Sequence, residues 1–360
     1  METRFTDLMN TPDEKVAKDC IIMKPDDARW LAFAGAHPDA TVFHHPAWMD
    51  IIATCYGFQP FVIAVCDAAG GIRAGLPMMD ASTVFRHRHW VSLPFTDYCN
   101  PLYLDSASLE RLSAGIASFY REGIARSIEL RWDFPPQQSM HAYSDFVLQT
   151  IPLVPDADKV IKRFDRVHRQ NAHAAEERGV RIVRGEGREH LRLFYDMQLK
   201  TRLRHGAPAQ PQRFFDLVAD KIFKPGLGFV LLAYKGDKCL AGLVLLHWKQ
   251  SLIAKYAASR EDSLNLRPNN LLFLNAIKWG CSNGVKVFDM GRSANEHTGL
   301  RRYKRGWGAE EMPLKYSVLS SAPPRREARR FVENIAHTII EHSPTFVCRI
   351  LGNQFYRYIG

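Results

Sequence analysis

The sequence predicts an α/β protein with mixed sheets, built from two domains of similar design, and three observations point there. A helix, an antiparallel hairpin or meander, a second helix and a buried strand occur in that order twice along the chain. The 360 residues suffice for two ordinary cores, and 46% hydrophobic with 24% charged residues is the balance of a folded globular protein. No apolar run approaches the roughly 20 residues that would cross a bilayer; the most apolar region, residues 228–248, is cut by Lys235, Asp237 and Lys238 and reads as a hairpin.

In the first half, Pro46 opens a helix that Gly57 closes. Strands follow over residues 59–66 and 72–79, joined at Ala68-Ala69-Gly70-Gly71. A turn-rich loop over residues 93–105 leads to a helix over 106–125 and a strand over 127–132, which ends before Pro135-Pro136.

The second half starts after a boundary placed at Thr150 to Pro155. Asp156 or Asp158 caps a helix that runs to Gly179. A short strand over 180–183 and helices over 189–203 and 211–221 precede strands over 229–234, 239–248 and 252–258. Pro268-Asn269-Asn270 opens a helix to Ser282, and residues 285–290 form a buried strand. The expected domains are therefore 1–155 and 156–322, followed by a tail, 323–360. The tail carries an apolar helical face of Phe331, Ile335, Ile339 and Ile340 and is expected to pack back on the first domain.

A net charge of +10 suits phosphate-bearing partners or an anionic membrane surface. The N-terminus, with Glu2, Arg4 and Asp7, has no apolar stretch of the kind a secretory signal needs, so a cytoplasmic location is expected. The seven cysteines are scattered without a C-x-x-C pair, which predicts reduced thiols. His44-His45 and His87-x-His89 lack partners at metal-ligand spacing, and no metal is expected. Without a G-x-S-x-G elbow, a P-loop or GxGxxG after a strand, hydrolase, NTPase and dehydrogenase classes have no anchor.

Chemistry concentrates where the last buried strand ends. Asp289, Gly291, Arg292 and Ser293 lead to Gly299-Leu300-Arg301-Arg302-Tyr303-Lys304-Arg305-Gly306-Trp307-Gly308. Strand ends of α/β sheets are where ligands sit, and five cations there against one acid, Glu296, suit a phosphate-bearing ligand or developing negative charge. The start of the helix at Pro268, with Arg267, Asn269 and Asn270, is a candidate anion site for a cofactor diphosphate. Lys162, Arg166, Arg169 and His173 follow one another at helical spacing and offer a basic face. Asp97 and Tyr98 lie in the loop Pro94-Phe95-Thr96-Asp97-Tyr98, where a carboxylate can orient an ammonium group or act as a base.

The strings FDMGRS and GLRRYKRGWG resemble the C-terminal signature of FemAB-type proteins and their tandem acetyltransferase-fold (GNAT) relatives. FHHPAW, LPFTDYCNPL, HRQNAHAAEERGV, KTRLRHGAP and RPNNLLFLNAIKWG agree with that family in order, so the resemblance spans roughly residues 40 to 320. It implies two tandem GNAT-like domains with a cleft between them. It implies an N-acyl or aminoacyl transferase that modifies an amine of a peptidoglycan or polysaccharide precursor, nucleotide-linked or lipid-linked. The donor implied is an acyl-CoA or an aminoacyl-tRNA, and work at the inner face of the membrane fits. Lys304 matches the family lysine that neutralises charge on the reacting carbonyl or leaving group, while Asn171, Arg202, Tyr256 and Tyr303 join the substrate-binding candidates by position. Two features differ from the tRNA-dependent members: no coiled-coil arm is inserted, and Cys99-Asn100-Pro101 replaces a glycine pair. The Q/R-x-x-G-x-G/A loop of coenzyme A enzymes is absent as well. A non-enzymatic RNA- or anionic-glycan-binding protein using the same basic cleft remains the alternative, and oligomeric state is open.

Overall fold

The computed structural model describes residues 20–83 and 88–323. They group into two compact units, one holding the chain up to Asp145 together with the segment from Pro313, the other holding Phe146–Met312. The tail residues Phe331, Ile335, Ile339 and Ile340 lie outside the described residues.

The first unit begins with β1 (Ile21–Met23), α1 (Ala28–Ala36) and α2 (Pro46–Tyr56). Local chemistry sets the limits of α2. The His45 ring accepts from the Ala47 N–H, Pro46 supplies the first-turn φ, and Gly57 ends the helix at φ 75°. Then come β2 (Gln59–Cys66) and β3 (Ile72–Asp80), paired antiparallel from Gln59↔Asp80 to Cys66↔Ile72. The Asp67 carboxylate accepts from the N–H groups of Ala69 and Gly71 and so fixes their turn. Phe61 to Val65 are all buried, which marks β2 as a central strand covered on both faces. β4 (His89–Val91), β5 (Leu102–Tyr103), α3 (Ser106–Arg121) and β6 (Ser127–Leu130) complete the run. The strands order as β1-β2-β3-β4-β6, with β5 beside β3, and β4 and β6 run parallel. Trp30, Trp48, Trp90 and Phe119 are fully buried in this unit's core.

Strand β7 (Met140–Pro152) carries the chain into the second unit. There α4 (Ala157–Ile161), α5 (Arg166–Glu177), β8 (Arg181–Gly185), α6 (Arg188–Arg204) and α7 (Gln212–Val218) precede the meander of β9 (Gly228–Lys235), β10 (Lys238–Trp248) and β11 (Ser251–Ser259). A 3-10 helix, Glu261–Leu266, leads to α8 (Pro268–Ser282), β12 (Val287–Ala294) and α9 (Thr298–Arg305). The strand order is β7-β12-β11-β10-β9-β8. β10 is central, and its apolar run Leu240 to Leu246 is wholly buried. Helix α8 buries Leu271, Leu272, Ala276, Ile277, Gly280 and Cys281 along one side, the spacing of an amphipathic helix on a sheet. Finally β13 (Glu310–Leu319) returns the chain to the first unit, where Ser317 to Leu319 pair antiparallel with β6.

Two irregularities shape the second sheet. β11 and β12 run parallel but pair only through Ser251–Ile253 and Val287–Asp289. Beyond Asp289 the two strands no longer pair. On the other side β11 carries one extra residue, Lys255, between its pairings to Val244 and Leu245, a β-bulge.

The structure departs from several sequence expectations. The helix expected from Asp156 to Gly179 is two helices, because the chain turns between Lys162 and Asp165; Lys162 caps α4 and does not share a face with Arg166, Arg169 and His173. Gly291 does not release the chain into a loop; β12 continues to Ala294 and repairs with β7 at Arg292↔Leu148. The basic segment after it is helix α9. The contact boundary falls at residue 145 rather than 155, and residues 313–319 group with the first unit because they pair with β6. No helix among the described residues is long and apolar enough to cross a membrane. Among those residues no group of three His, Cys, Asp or Glu side chains is placed to hold a metal ion.

Candidate functional site

The site in the second unit is built on the irregular stretch of β12. The ladder to β7 shifts register between Asp289 and Arg292, and Gly291 sits at φ 73°, a conformation that suits glycine. The buried Asp289 carboxylate, 1% exposed, accepts from the Gly291 N–H at 2.6 Å, the two-residue reach of an Asx turn. From the last turn of α9, Lys304 reaches the same place. Its Nζ donates to the Gly291 carbonyl at 2.9 Å and to the Arg292 carbonyl at 3.2 Å. The lysine is 7% exposed. A buried ammonium is tolerable only with such partners, and it is held just past the point where β12 parts from β11.

Neighbouring side chains lock this arrangement. Ser293 Oγ donates to Gln149 Oε1 at 2.7 Å, and Gln149 Nε2 donates to the Arg301 carbonyl at 3.1 Å and to Glu311 Oε1 at 3.0 Å. Arg301 grips Glu311 with Nε and Nη2 at 3.2 and 2.7 Å. The guanidinium holds the Glu311 carboxyl below the usual carboxylate range. The Arg292 guanidinium lies 4.1 Å from the centre of the Phe146 ring. Tyr303 is half-buried, and burial pushes its hydroxyl up to about 12, so it remains a hydrogen-bonding phenol at neutral pH.

Behind α9 stands an aromatic stack. Trp307 is fully buried against Phe164 at 5.0 Å and lies over the His168 ring at 4.7 Å. His168 also meets Tyr303 edge-on at 5.0 Å. Asn270 Nδ2 donates to His168 Nδ1 at 3.1 Å. His168 begins the string HRQNAHAAEERGV, but sequence reading chose its neighbours Arg169 and Asn171 instead. Gln149 and Glu311 were also missed, since no local motif marks them.

The structure thus brings Asp289, Arg292, Ser293, Tyr303 and Lys304 to one place, with Asn270 joined through His168. Other candidates of this unit stand apart. Arg169 is exposed and donates to the Lys162 carbonyl at 3.2 Å, with Asn171 half-buried on the same helix. Arg202 donates to the Pro208 carbonyl at 3.0 Å, and Tyr256 sits edge-on to Phe214 and Phe215 of α7.

At the start of α8, the candidate anion site, part of the polar groups are engaged within the protein. Pro268 has no N–H, and those of Arg267 and Asn270 go to the carbonyls of Leu264 and Arg267. The side-chain amide of Asn269 goes to Ser259 Oγ, that of Asn270 to His168. The exposed Arg267 adopts φ 57° and offers no side-chain cap.

In the first unit, the loop carrying Asp97 and Tyr98 is held tightly. Leu93 and Phe95 take φ of 63° and 61°, strained for non-glycine residues. Trp48 Nε1 donates to Thr96 Oγ1 at 2.9 Å, Arg131 Nη1 to the Thr96 carbonyl at 2.7 Å, and the Tyr316 hydroxyl to the Asp97 carbonyl. Tyr98 is buried between Phe43 and Trp132, whereas Asp97 is half-buried.

Residues 162–305 match the family model described as an acetyltransferase (GNAT) domain. A crystal structure of FemX superposes with a TM-score of 0.65 at 15% identity, over 84% of this chain and 97% of that one. The chain is a GNAT-fold protein of FemAB-like architecture. This FemAB-like protein also shares its fold with L-PGS from Bacillus licheniformis (TM-score 0.54, 10% identity, 92% and 100% of the two chains). A tandem GNAT protein from the clavulanic acid biosynthesis pathway superposes at a TM-score of 0.51 and 11% identity, over 85% and 99%. No curated protein matches in sequence. The description of the matched family model, an acetyltransferase domain, agrees with the expected acyltransferase class.

Proposed function

We propose that this FemAB-like protein transfers an acyl or aminoacyl group to an amine of a cell-envelope precursor, nucleotide-linked or lipid-linked, in the cytoplasm or at the inner face of the membrane. The observation that carries the reading is the buried Lys304 ammonium, fixed by two backbone carbonyls beside the parting of β11 and β12. In the reaction the acceptor nitrogen bonds to the donor carbonyl carbon and the ester or thioester bond breaks. The amine loses a proton and the leaving oxygen or sulfur gains one. Negative charge builds on the carbonyl oxygen in between, and a preorganised cation in a water-poor site stabilises it. Arg292, Ser293 and Tyr303, which lie with Lys304, are assigned to substrate binding.

The donor is an acyl-CoA thioester or an aminoacyl ester carried by tRNA. A net charge of +10 suits either a tRNA or a phosphorylated acceptor. The test is to offer acyl-CoAs and charged tRNAs with amine-bearing envelope precursors and follow acceptor mass. A mass gain matching one acyl or aminoacyl group supports the reading. Salt-sensitive binding of tRNA or anionic glycan without any product would replace it with the non-enzymatic alternative.

A further inference from the structure

We infer that His168 is a positioning residue for Lys304, holding the end of α9 so that the ammonium reaches β12. The inference rests on the reading of Lys304 given above only for its catalytic consequence. The imidazole lies where three elements meet. Asn270 of α8 donates to its Nδ1 at 3.1 Å, the Tyr303 ring meets it edge-on at 5.0 Å, and the Trp307 ring stacks on it at 4.7 Å. The residues it touches in α9 and beyond, Tyr303 and Trp307, flank Lys304 on the chain. The approach is close enough to demand glycine: a Cβ on Gly306 would stand 2.4 Å from His168 Nε2 and 3.0 Å from Asp165 Oδ2. Nearby, the Asp165 N–H donates to the Gly306 carbonyl at 2.7 Å, so the start of α5 and the end of α9 are tied twice. Burial keeps the imidazole pKa below its ordinary value, although Asp165 opposes this, and the neutral ring accepts from Asn270 at Nδ1.

The experiment needs no substrate. Reductive methylation by formaldehyde and cyanoborohydride, mapped by peptide mass spectrometry, reports how often each lysine amine is reachable. Lys304 should be protected in the wild type, and His168→Ala should label it at least about tenfold faster. Exposed Lys238 and Lys315 should keep their wild-type rates, which separates local release from general loosening. His168→Gln, whose amide oxygen can accept from Asn270, should restore protection. Gly306→Ala should release Lys304 as His168→Ala does. Unchanged Lys304 labelling in both His168→Ala and Gly306→Ala overturns the inference, as does faster labelling of all three lysines alike. Should His168→Ala fail to fold, the Gly306→Ala and His168→Gln rates decide it. Loss of protection in a protein whose Lys304→Met form still transfers normally would leave the positioning intact and remove the catalytic reading.

Discussion

Asp289 and Lys304 hold one residue, Gly291, from its two ends: the carboxylate takes the N–H at 2.6 Å and the ammonium gives to the carbonyl at 2.9 Å. Both side chains are buried. Opposite charges meet here through a peptide rather than directly, and the glycine at φ 73° forms the turn that lets both reach it.

Lys304→Met should lower transfer at least about a hundredfold, the usual effect of removing one preorganised donor from a reacting carbonyl. It should also cost about 1–3 kcal/mol of stability, because the carbonyls of Gly291 and Arg292 lose a buried donor. Single-turnover rates beside urea midpoints separate the effects. Undiminished transfer would take the lysine out of the mechanism.

Gly291→Ala places a Cβ in the left-handed region and should cost about 1–2 kcal/mol. The turn that seats Lys304 distorts with it, so transfer should fall further than stability does. Denaturant midpoints unchanged from wild type would show that the turn is not under the constraint described.

Gln149→Leu keeps the side-chain volume but strips three hydrogen bonds among Ser293, Arg301 and Glu311. A loss of about 2–4 kcal/mol in chemical unfolding is expected, since buried groups are left unpaired. A loss under about 0.5 kcal/mol would mean water replaces the amide.

His44 gives a pH dependence of known sign. It is fully buried; the Thr41 N–H donates to its Nδ1 at 3.0 Å and its Nε2 donates to the Asn100 carbonyl at 2.9 Å. Burial drives its pKa down to about 4, well below the ordinary imidazole value of about 6.5. The unfolded chain therefore binds a proton that the folded one refuses. The stability from the neutral ring is complete above pH 6.5 and is lost as pH falls toward about 4, up to roughly 3 kcal/mol. Unfolding free energies at several pH values should fall more steeply for wild type than for His44→Gln. Parallel curves would rule out His44 as the source.

Much of the fold could be read locally. Helix α2 is legible because Pro46 and Gly57 bracket it, and β2, β3 and β10 because their apolar runs are unbroken between turn formers. β7 and β13 were not foreseen: their exposure follows no clean alternation, and their partners lie far away in sequence. The break between α4 and α5 was missed because Asp165 looks like an interior helix residue until its N–H is seen bonded to the Gly306 carbonyl.

By itself, the sequence determined most of the helices and strands, their order, a resemblance to acyltransferases and the attention drawn to the segment from Asp289 to Lys304, because these are carried by short-range periodicity, caps and contiguous motifs. Only the tertiary structure decided that Lys304 turns inward onto the carbonyls of β12, that Gln149 ties Ser293 to Arg301 and Glu311, and that His168 lies between Asn270 and Trp307. The physical reason is that a buried charge or amide is defined by the partners that replace its water, and those partners come from strands and helices that only folding brings together.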